Sequence, residues 1–130
     1  MFFGNMSVME ARALNPLVLA YVGDAVHSLY VREQLVHNSD AKAHILHVMA
    51  SKIVRATAQS ESALKIMPLL TIDEEEIYKR GRNSKQHSMA KNAKVEEYKR
   101  ASGLEAVLGF LYLTGNEERI KELLGVENES

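Results

Sequence analysis

A helix-start signal followed by a long apolar segment is the feature that most limits how this chain can fold. Asn15-Pro16 provides an N-cap side chain and then a proline at the first helical position, where the missing N–H is not needed. The segment from Leu17 to about Val36 that follows is rich in Leu, Val, Ala and Tyr. We therefore predict one long helix in this part of the chain.

Helical spacing of apolar residues continues in the next segment. Between Asp40 and about Met67 it predicts one or two helices, with a possible break near Ala50-Ser51, and Pro68 ends the region. No segment shows the sustained period-2 alternation of a half-buried strand. The expected fold is all-α, a compact bundle of six or seven helices.

Capping signals define the helices of the second half. Thr71 and Glu74 form a capping box that opens a short helix, and Gly81 is expected to stop it. Residues 82–91 contain almost no apolar side chain and are predicted to form an exposed loop. Two further helices are predicted, from about Ala93 to Leu113 and from Glu117 to Leu124.

Length and composition are those of one ordinary globular domain. The 130 residues are 46 % hydrophobic and include no cysteine, which excludes disulfides and thiolate metal sites. We expect an N-terminal tail over residues 1–13, one domain over 14–125 and a C-terminal tail over 126–130. Neither a signal peptide nor the roughly 20 apolar residues of a membrane span is visible. We expect a cytoplasmic protein without membrane attachment.

Positive charge is concentrated in one segment. The formal net charge of the chain is −1, yet the segment from Lys79 to Arg100 contains eight basic and two acidic residues, a net charge of +6. The rest of the chain therefore carries −7. A solvated basic segment without a ligand is the simpler interpretation. A glycine-bearing Arg/Lys/Asn cluster nevertheless favours local binding of a polyanion.

Two acidic residues lie in otherwise apolar helices. Asp24 is in the middle of the first long helix, and Glu105 is in the helix predicted up to Leu113. A buried carboxylate needs a basic partner, a proton or a divalent cation, and neither helix has a Lys or Arg within one turn of its acid. Each acid alone would be explained by an exposed helix face. Together with the basic segment, the two hard oxygen donors suggest a Mg²⁺ or Mn²⁺ site.

The residues around both acids resemble a known family. Residues 21–26, Tyr-Val-Gly-Asp-Ala-Val, resemble the signature helix of ribonuclease III nuclease domains. Residues 104–113, Leu-Glu-Ala-Val-Leu-Gly-Phe-Leu-Tyr-Leu, resemble the second acidic helix of that family. The spacing of the two motifs and the segment 79–83 are most similar to the short bacterial form, mini-ribonuclease III. The resemblance covers roughly residues 14–124, and its specificity comes from the two motifs in combination.

The resemblance implies a helical domain that forms a symmetric homodimer and cuts double-stranded RNA, leaving 5′-phosphate and 3′-hydroxyl ends. Asp24 and Glu105 match the two most essential metal-binding acids of the family. They are therefore the expected catalytic residues and the ligands of Mg²⁺ or Mn²⁺. The mini-type resemblance also implies precursor 23S ribosomal RNA as the substrate.

Two positions depart from the family pattern. Full-length members have a further Glu one turn before the Asp, where this chain has Ala20, and an Asp three residues before the second Glu, where it has Ser102. Mini-type enzymes share this reduction. It leaves open whether one or two cations bind, and it makes a non-catalytic RNA-binding scaffold of the same fold the alternative function.

Recognition of the RNA is expected to depend on shape, because an A-form duplex presents mainly phosphates and 2′-hydroxyls. No separate double-stranded-RNA-binding domain is expected. Tyr21 and His27, close to Asp24 on its helix, are interpreted as packing residues or as groups that orient the acid. Lys52 and Arg55 are weaker candidates for RNA contact. The residues expected to contact RNA phosphates are Lys79, Arg80, Arg82, Asn83, Lys85, Lys91 and Lys94.

Overall fold

The computed structural model describes residues 2–84 and 94–126, and within these ranges the chain forms seven α-helices and no strands. The predicted all-α bundle of six or seven helices is thus confirmed. A 3₁₀ turn spans Met67–Leu69. None of the helices described is long and apolar enough to cross a membrane. The helices are α1 (Val8–Arg12), α2 (Pro16–Asn38), α3 (Ala43–Val54), α4 (Ala56–Ile66), α5 (Ile72–Arg82), α6 (Val95–Leu113) and α7 (Glu117–Gly125).

The starts of α2 and α5 follow the predicted capping signals. The side-chain oxygen of Asn15 accepts a hydrogen bond from the backbone N–H of Leu17 at 2.8 Å. At α5 the Thr71 hydroxyl accepts from the Glu74 N–H at 3.2 Å, and the Glu74 carboxylate accepts from the Thr71 N–H at 2.9 Å. Both arms of the capping box are present, so these two helix starts are set by local sequence.

The break between α3 and α4 lies at Arg55, whose extended backbone separates the two helices. The predicted break near Ala50-Ser51 was therefore wrong. Ala50 is buried inside α3, and the Ser51 hydroxyl donates to the His47 carbonyl at 2.8 Å, one turn earlier. A serine that bonds back in this way is compatible with a continuous helix.

Gly81 lies inside α5 and does not stop it, because the helix continues to Arg82. A Cβ atom at this position would come within 2.8 Å of the Ala106 Cβ and 2.9 Å of the Ser102 carbonyl oxygen. The glycine is therefore explained by the close packing of α5 on α6. Because α5 continues past Gly81, the prediction of a helix stop at this residue was wrong.

A short helix, α1, lies within the segment that was expected to be an N-terminal tail. Ser7 and Glu10 form its capping box, and Ala11 is fully buried. The arrangement of a Ser followed three residues later by a Glu was the sequence signal for this helix.

Helix α6 is the centre of the bundle and packs against α2, α4 and α5. Every residue from Ala101 to Leu111 is buried except Glu105, which is partly exposed. A helix with apolar or small side chains on nearly all sides has to be surrounded by other helices. Glu105 is therefore the one acid within this buried stretch of α6 and its only partly exposed residue.

Helices α2 and α6 touch through their backbones at two glycines. A Cβ atom on Gly23 would lie 1.7 Å from the Glu105 carbonyl oxygen, and one on Gly109 would lie 1.9 Å from the Leu19 carbonyl oxygen. No side chain fits between the two helices at these positions. The contact brings Asp24, the residue after Gly23, next to the Glu105 turn of α6.

Substitution of Gly23 by Ala should separate α2 from α6, because the new methyl group has only backbone atoms to meet. We expect Gly23→Ala to lower the free energy of unfolding by about 3 kcal/mol, the upper end of typical overpacking. Denaturant unfolding followed by circular dichroism measures this. Gly125→Ala is the matched control, since nothing lies within 4 Å of its Cβ position. Equal stability of the two variants would contradict the close contact.

Candidate active site

An open cavity of about 500 Å³ lies between α2, α4 and α6. Its lining includes Asp24 from α2, Gln59 from α4 and both Ser102 and Glu105 from α6. Arg55, at the junction of α3 and α4, also lines it. The fold thus collects residues from distant parts of the chain at one place.

The carboxyl groups of Asp24 and Glu105 contact each other inside this cavity. Asp24 is exposed at its edge, and Glu105 is partly buried. Burial raises the pKa of the Glu105 carboxyl to about 8, and the hydrogen bond and negative charge of Asp24 act in the same direction. A hydrogen bond with the Gln59 side chain opposes the rise. At neutral pH, Glu105 therefore carries a proton when no cation is bound.

The groups that act on the Glu105 carboxyl in the described part of the chain are Asp24 and Gln59, and neither is basic. A buried carboxylate can be compensated by a basic partner, a proton or a divalent cation. In the protein without a cation, a proton on Glu105 provides this compensation. A cation would replace the proton and convert both acids into ligands.

Gln59 is a functional candidate that the sequence reasoning missed. Its side chain is buried, with 2 % of the residue exposed, and its Nε2 donates to the Val54 carbonyl at 2.7 Å. Its Oε1 is buried and has no hydrogen-bond partner among the described residues. The sequence signal was a lone amide in a helix start made mostly of small residues, one turn after Arg55.

The two positions that depart from the family pattern also line the cavity. Ala20 and Ser102 are both buried there, on α2 and α6. The acids that the resemblance assigns to full-length family members at these positions would therefore lie at the same cavity. In this chain that space is less negative than a four-acid site.

The donor set fits a hard divalent cation. Residues 2–84 and 94–126 contain no group of three or more His, Cys, Asp or Glu side chains that could hold a metal. The cavity instead presents two carboxyl groups and an amide, without an imidazole or thiol. Mg²⁺ and Mn²⁺ prefer such oxygen ligands, and Mg²⁺ usually retains several waters, so a site with few protein ligands is compatible with it.

Two of the predicted RNA-binding residues have partners outside the predicted RNA-binding set. Lys79 forms an ion pair with Glu75 at 2.8 Å on the surface of α5. Arg80 donates to the carbonyl oxygens of Arg12 and Leu14, at 2.9 and 3.0 Å, just after α1. The Arg80 guanidinium thus ties α1 and the following turn to α5, a structural task that sequence position does not reveal.

Arg82 and Asn83, two further predicted RNA-binding residues, contact each other at the end of α5. The Arg82 guanidinium lies 6.0 Å from the centre of the Tyr78 ring and donates to the side-chain oxygen of Asn83 at 3.2 Å. Lys94 is exposed at the start of α6. Lys85 and Lys91 lie outside the described residues. RNA contact by the whole set stays a prediction.

Tyr21 and His27, which are close to Asp24 on α2, differ in whether they reach the cavity. Tyr21 is 80 % exposed and lines the cavity, whereas His27 is fully buried in the bundle and is not part of the lining. The burial of His27 agrees with a packing role. Arg55, a weaker candidate in the sequence, is the basic residue of the cavity lining in the described part of the chain.

Comparison with known proteins gives consistent results. The sequence model of the Ribonuclease III domain matches residues 17–116, a span that contains both acids. The mini-ribonuclease 3 of Enterococcus faecalis is 46 % identical over 117 residues, which cover 88 % of this chain and 89 % of that protein. The mini-ribonuclease 3 of Staphylococcus aureus is 46 % identical over 122 residues, which cover 92 % and 91 %.

A solved structure shares the fold. The crystal structure of a protein from Fusobacterium nucleatum superposes with a TM-score of 0.83 at 31 % sequence identity, covering 92 % of this chain and 97 % of that one. The sequence match and the structural match both extend over most of the chain. The chain therefore belongs to the ribonuclease III family of endoribonucleases, and within it to the mini-ribonuclease 3 type.

Proposed function

We propose that this endoribonuclease cleaves double-stranded RNA at the cavity formed by Asp24 and Glu105, with Mg²⁺ or Mn²⁺ as cofactor. The observation that carries the proposal is the contact of two carboxyl groups that are 81 positions apart in the sequence. Double-stranded RNA is the substrate class on which the ribonuclease III family acts. The open cavity leaves room for a phosphate beside the two acids.

The roles of the two acids follow from their surroundings. Asp24, at the exposed edge, and Glu105, at the partly buried wall, would hold the cation between them. When bound, the cation would neutralise charge on the scissile phosphate and help to activate a water molecule. Glu105 must first release its proton, which can leave through the open side of the cavity. The water oxygen would stay on the 5′-phosphate, and the 3′ oxygen would leave as a hydroxyl.

Arg55 is proposed to contact the RNA backbone near the cut. Its side chain is exposed and lines the cavity beside the two acids. An arginine can pair with two phosphate oxygens at once, which orients the phosphate as well as attracting it. The basic residues from Lys79 to Lys94 are proposed to bind phosphates further along the duplex, so binding should weaken steeply with salt.

A homodimer is supported by an apolar groove of about 470 Å³ beside the active site. Tyr21 and Leu29 of α2, which line it, are 80 % and 62 % exposed, and Ile120 of α7 forms part of its floor. Large exposed apolar surfaces of this kind mark contacts with other molecules. Asp24 lines both the groove and the active-site cavity. A symmetric partner would therefore bring two active sites near one duplex.

Precursor 23S ribosomal RNA in the cytoplasm is the proposed natural substrate, on the basis of the mini-ribonuclease 3 relatives and the resemblance to them. A non-catalytic RNA-binding scaffold is the alternative. It is favoured by Ala20 and Ser102, since the cavity lacks the two acids that full-length family members have there. Retention of both Asp24 and Glu105 favours the enzyme.

Replacement of Asp24 by Asn should abolish cleavage while leaving the fold intact, because this exposed side chain loses its charge and keeps its shape. We expect the rate of cutting a long RNA duplex in Mg²⁺ to fall at least about 100-fold, which corresponds to roughly 3 kcal/mol of lost transition-state stabilisation. Asp40→Asn is the matched control, since Asp40 is exposed and does not line the cavity.

Native protein that binds the duplex without cutting it would overturn the enzyme in favour of the scaffold. A native rate in Asp24→Asn would show that the acid is not part of the active site. Sedimentation velocity of the same preparations should give the mass of a dimer, and a monomer that cuts at full rate would contradict the proposed assembly.

The raised pKa of Glu105 predicts how stability depends on pH without a cation. In the unfolded chain this carboxyl ionises near 4.5, and in the folded protein near 8. Between these values the folded state binds more protons, so its free energy of unfolding falls as the pH rises and levels off above about 8. The contribution is fully present below pH 4.5.

Thermal unfolding of native protein and Glu105→Gln in a chelator tests this, because the amide cannot ionise. The native melting temperature should fall relative to that of the variant between pH 5 and pH 8. Saturating Mg²⁺ should remove the fall in the native protein alone. Parallel pH profiles of the two proteins in chelator would show that Glu105 titrates normally.

A further inference from the structure

Two arginines lie close to a contact between Tyr78 and Gly103, where α5 packs on α6. A Cβ atom on Gly103 would lie 2.7 Å from the Cε2 atom of the Tyr78 ring, so the ring packs directly on the α6 backbone. Arg82 is one turn after Tyr78 on α5, and Arg100 is one turn before Gly103 on α6. The helix spacing therefore puts each arginine within one turn of the same contact.

Both guanidinium groups act on the Tyr78 side chain. The guanidinium carbon of Arg82 lies 6.0 Å from the centre of the ring. Burial raises the pKa of the Tyr78 hydroxyl, and the positive charges of Arg82 and Arg100 oppose this rise. Two like charges near one ring repel each other, so an anion that contacts both groups would relieve the arrangement.

Neither arginine is neutralised by a carboxylate in the described part of the chain. The ion pairs found there include neither Arg82 nor Arg100. Arg100 has Glu97 one turn before it on α6, yet its Nε donates to the Ser60 hydroxyl on α4 at 2.7 Å. Both arginines are partly exposed, so an anion from solution can reach them.

The hydrogen bonds that hold the two side chains use their Nε atoms. Arg82 donates from Nε to the side-chain oxygen of Asn83 at 3.2 Å, as Arg100 does to Ser60. Within the described residues, no hydrogen bond occupies the terminal nitrogens of either group. A guanidinium held in this way keeps paired donors that match the oxygens of a phosphate.

Ser60 connects this pair of arginines to the active site. It follows Gln59 on α4, which lines the active-site cavity together with Arg55. Arg55 and Ser60 are about one and a half helical turns apart, or roughly 7.5 Å along the axis. Arg100, bound to Ser60, therefore joins the edge of the cavity to Arg82 at the basic end of α5.

We infer that Arg82 and Arg100 together bind one phosphate of the RNA backbone, at a site separate from the scissile phosphate and between the active-site cavity and the basic segment. The inference rests on the proposed function and deepens it, because Arg100 lies outside the predicted RNA-binding set. The shared phosphate offsets the repulsion between the two guanidinium groups. A backbone contact carries no sequence information, so this site would position the duplex relative to the two acids.

Binding of a short fluorescent RNA duplex in chelator tests the inference without relying on cleavage. Fluorescence anisotropy at several salt concentrations gives the affinity and its salt dependence. We expect Arg100→Gln to weaken binding at least about tenfold, the usual loss for a hydrogen bond to a charged group. The slope of log affinity against log salt concentration should become shallower by about 1, as for one lost phosphate contact.

Lys99→Gln is the matched control. It removes the same charge from the exposed neighbouring residue on α6. Its salt slope should equal that of the native protein. Equal losses of affinity and of slope in Lys99→Gln and Arg100→Gln would assign the effect to net charge and overturn the inference.

A double variant tests whether the two arginines share one phosphate. If Arg82→Gln and Arg100→Gln remove the same contact, the double variant should lose much less affinity than the product of the two single losses. Losses that multiply would show two independent contacts and overturn the shared site.

Arg100→Lys keeps the test open if the glutamine variant does not fold. Lysine retains the charge but lacks the paired donors, so the affinity should fall while the salt slope stays native. Native affinity in this variant would contradict the paired contact.

Asp24→Asn separates failure of the inference from failure of the proposed function. If Arg100→Gln binds the duplex as the native protein does, while Asp24→Asn binds it but no longer cuts in Mg²⁺, Arg100 is not an RNA ligand and the proposed enzyme stands. If the native protein neither binds nor cuts the duplex, the proposed function is wrong and the inference falls with it.

Discussion

The backbone contact between α2 and α6 is the constraint on which the rest of the structure depends. Gly23 and Gly109 allow each helix to touch a carbonyl group of the other, and no other residue could stand at these positions without separating them. Asp24 follows Gly23 directly, and Glu105 is one turn before Gly109 on α6. The same close packing that holds the core together therefore decides whether the two acids meet.

The electrostatics of the site are a consequence of this packing. Two carboxyl groups held together in a partly buried place repel each other when both are charged, and Glu105 remains protonated up to about pH 8. The protein accepts a locally unfavourable arrangement that a divalent cation would relieve. Residues of this kind, strained without their ligand, are typical of functional sites rather than of packing.

Local signals in the sequence predict much of this fold but little of its packing. The starts of α2 and α5 depend on side chains within three residues, so the capping patterns were sufficient. The role of Gly81 depends on α6, and that of Arg80 on carbonyls more than 60 positions away. Such distant partners cannot be read from neighbouring residues, which is why both were misjudged or missed.

The candidate site likewise has residues that local sequence signals reveal and residues that only the packing reveals. Asp24 and Glu105 could be found because each is the one charged residue in an apolar stretch of its helix and because their surroundings resemble a family. Gln59 could not, since a glutamine near a helix start has no unusual feature until its burial and its partnerless oxygen are known. Arg55 likewise became a strong candidate only when the helix break placed it in the cavity.

The most direct test of the central claim is a crystal structure of the protein soaked in Mn²⁺, with anomalous diffraction recorded to locate the ion. The account predicts an anomalous peak in the α2–α4–α6 cavity, about 2.0–2.6 Å from a carboxylate oxygen of Asp24 and from one of Glu105, the range of bonds between hard cations and oxygen. A peak bound to one of these acids alone, or fully occupied sites elsewhere with none in this cavity, would contradict it.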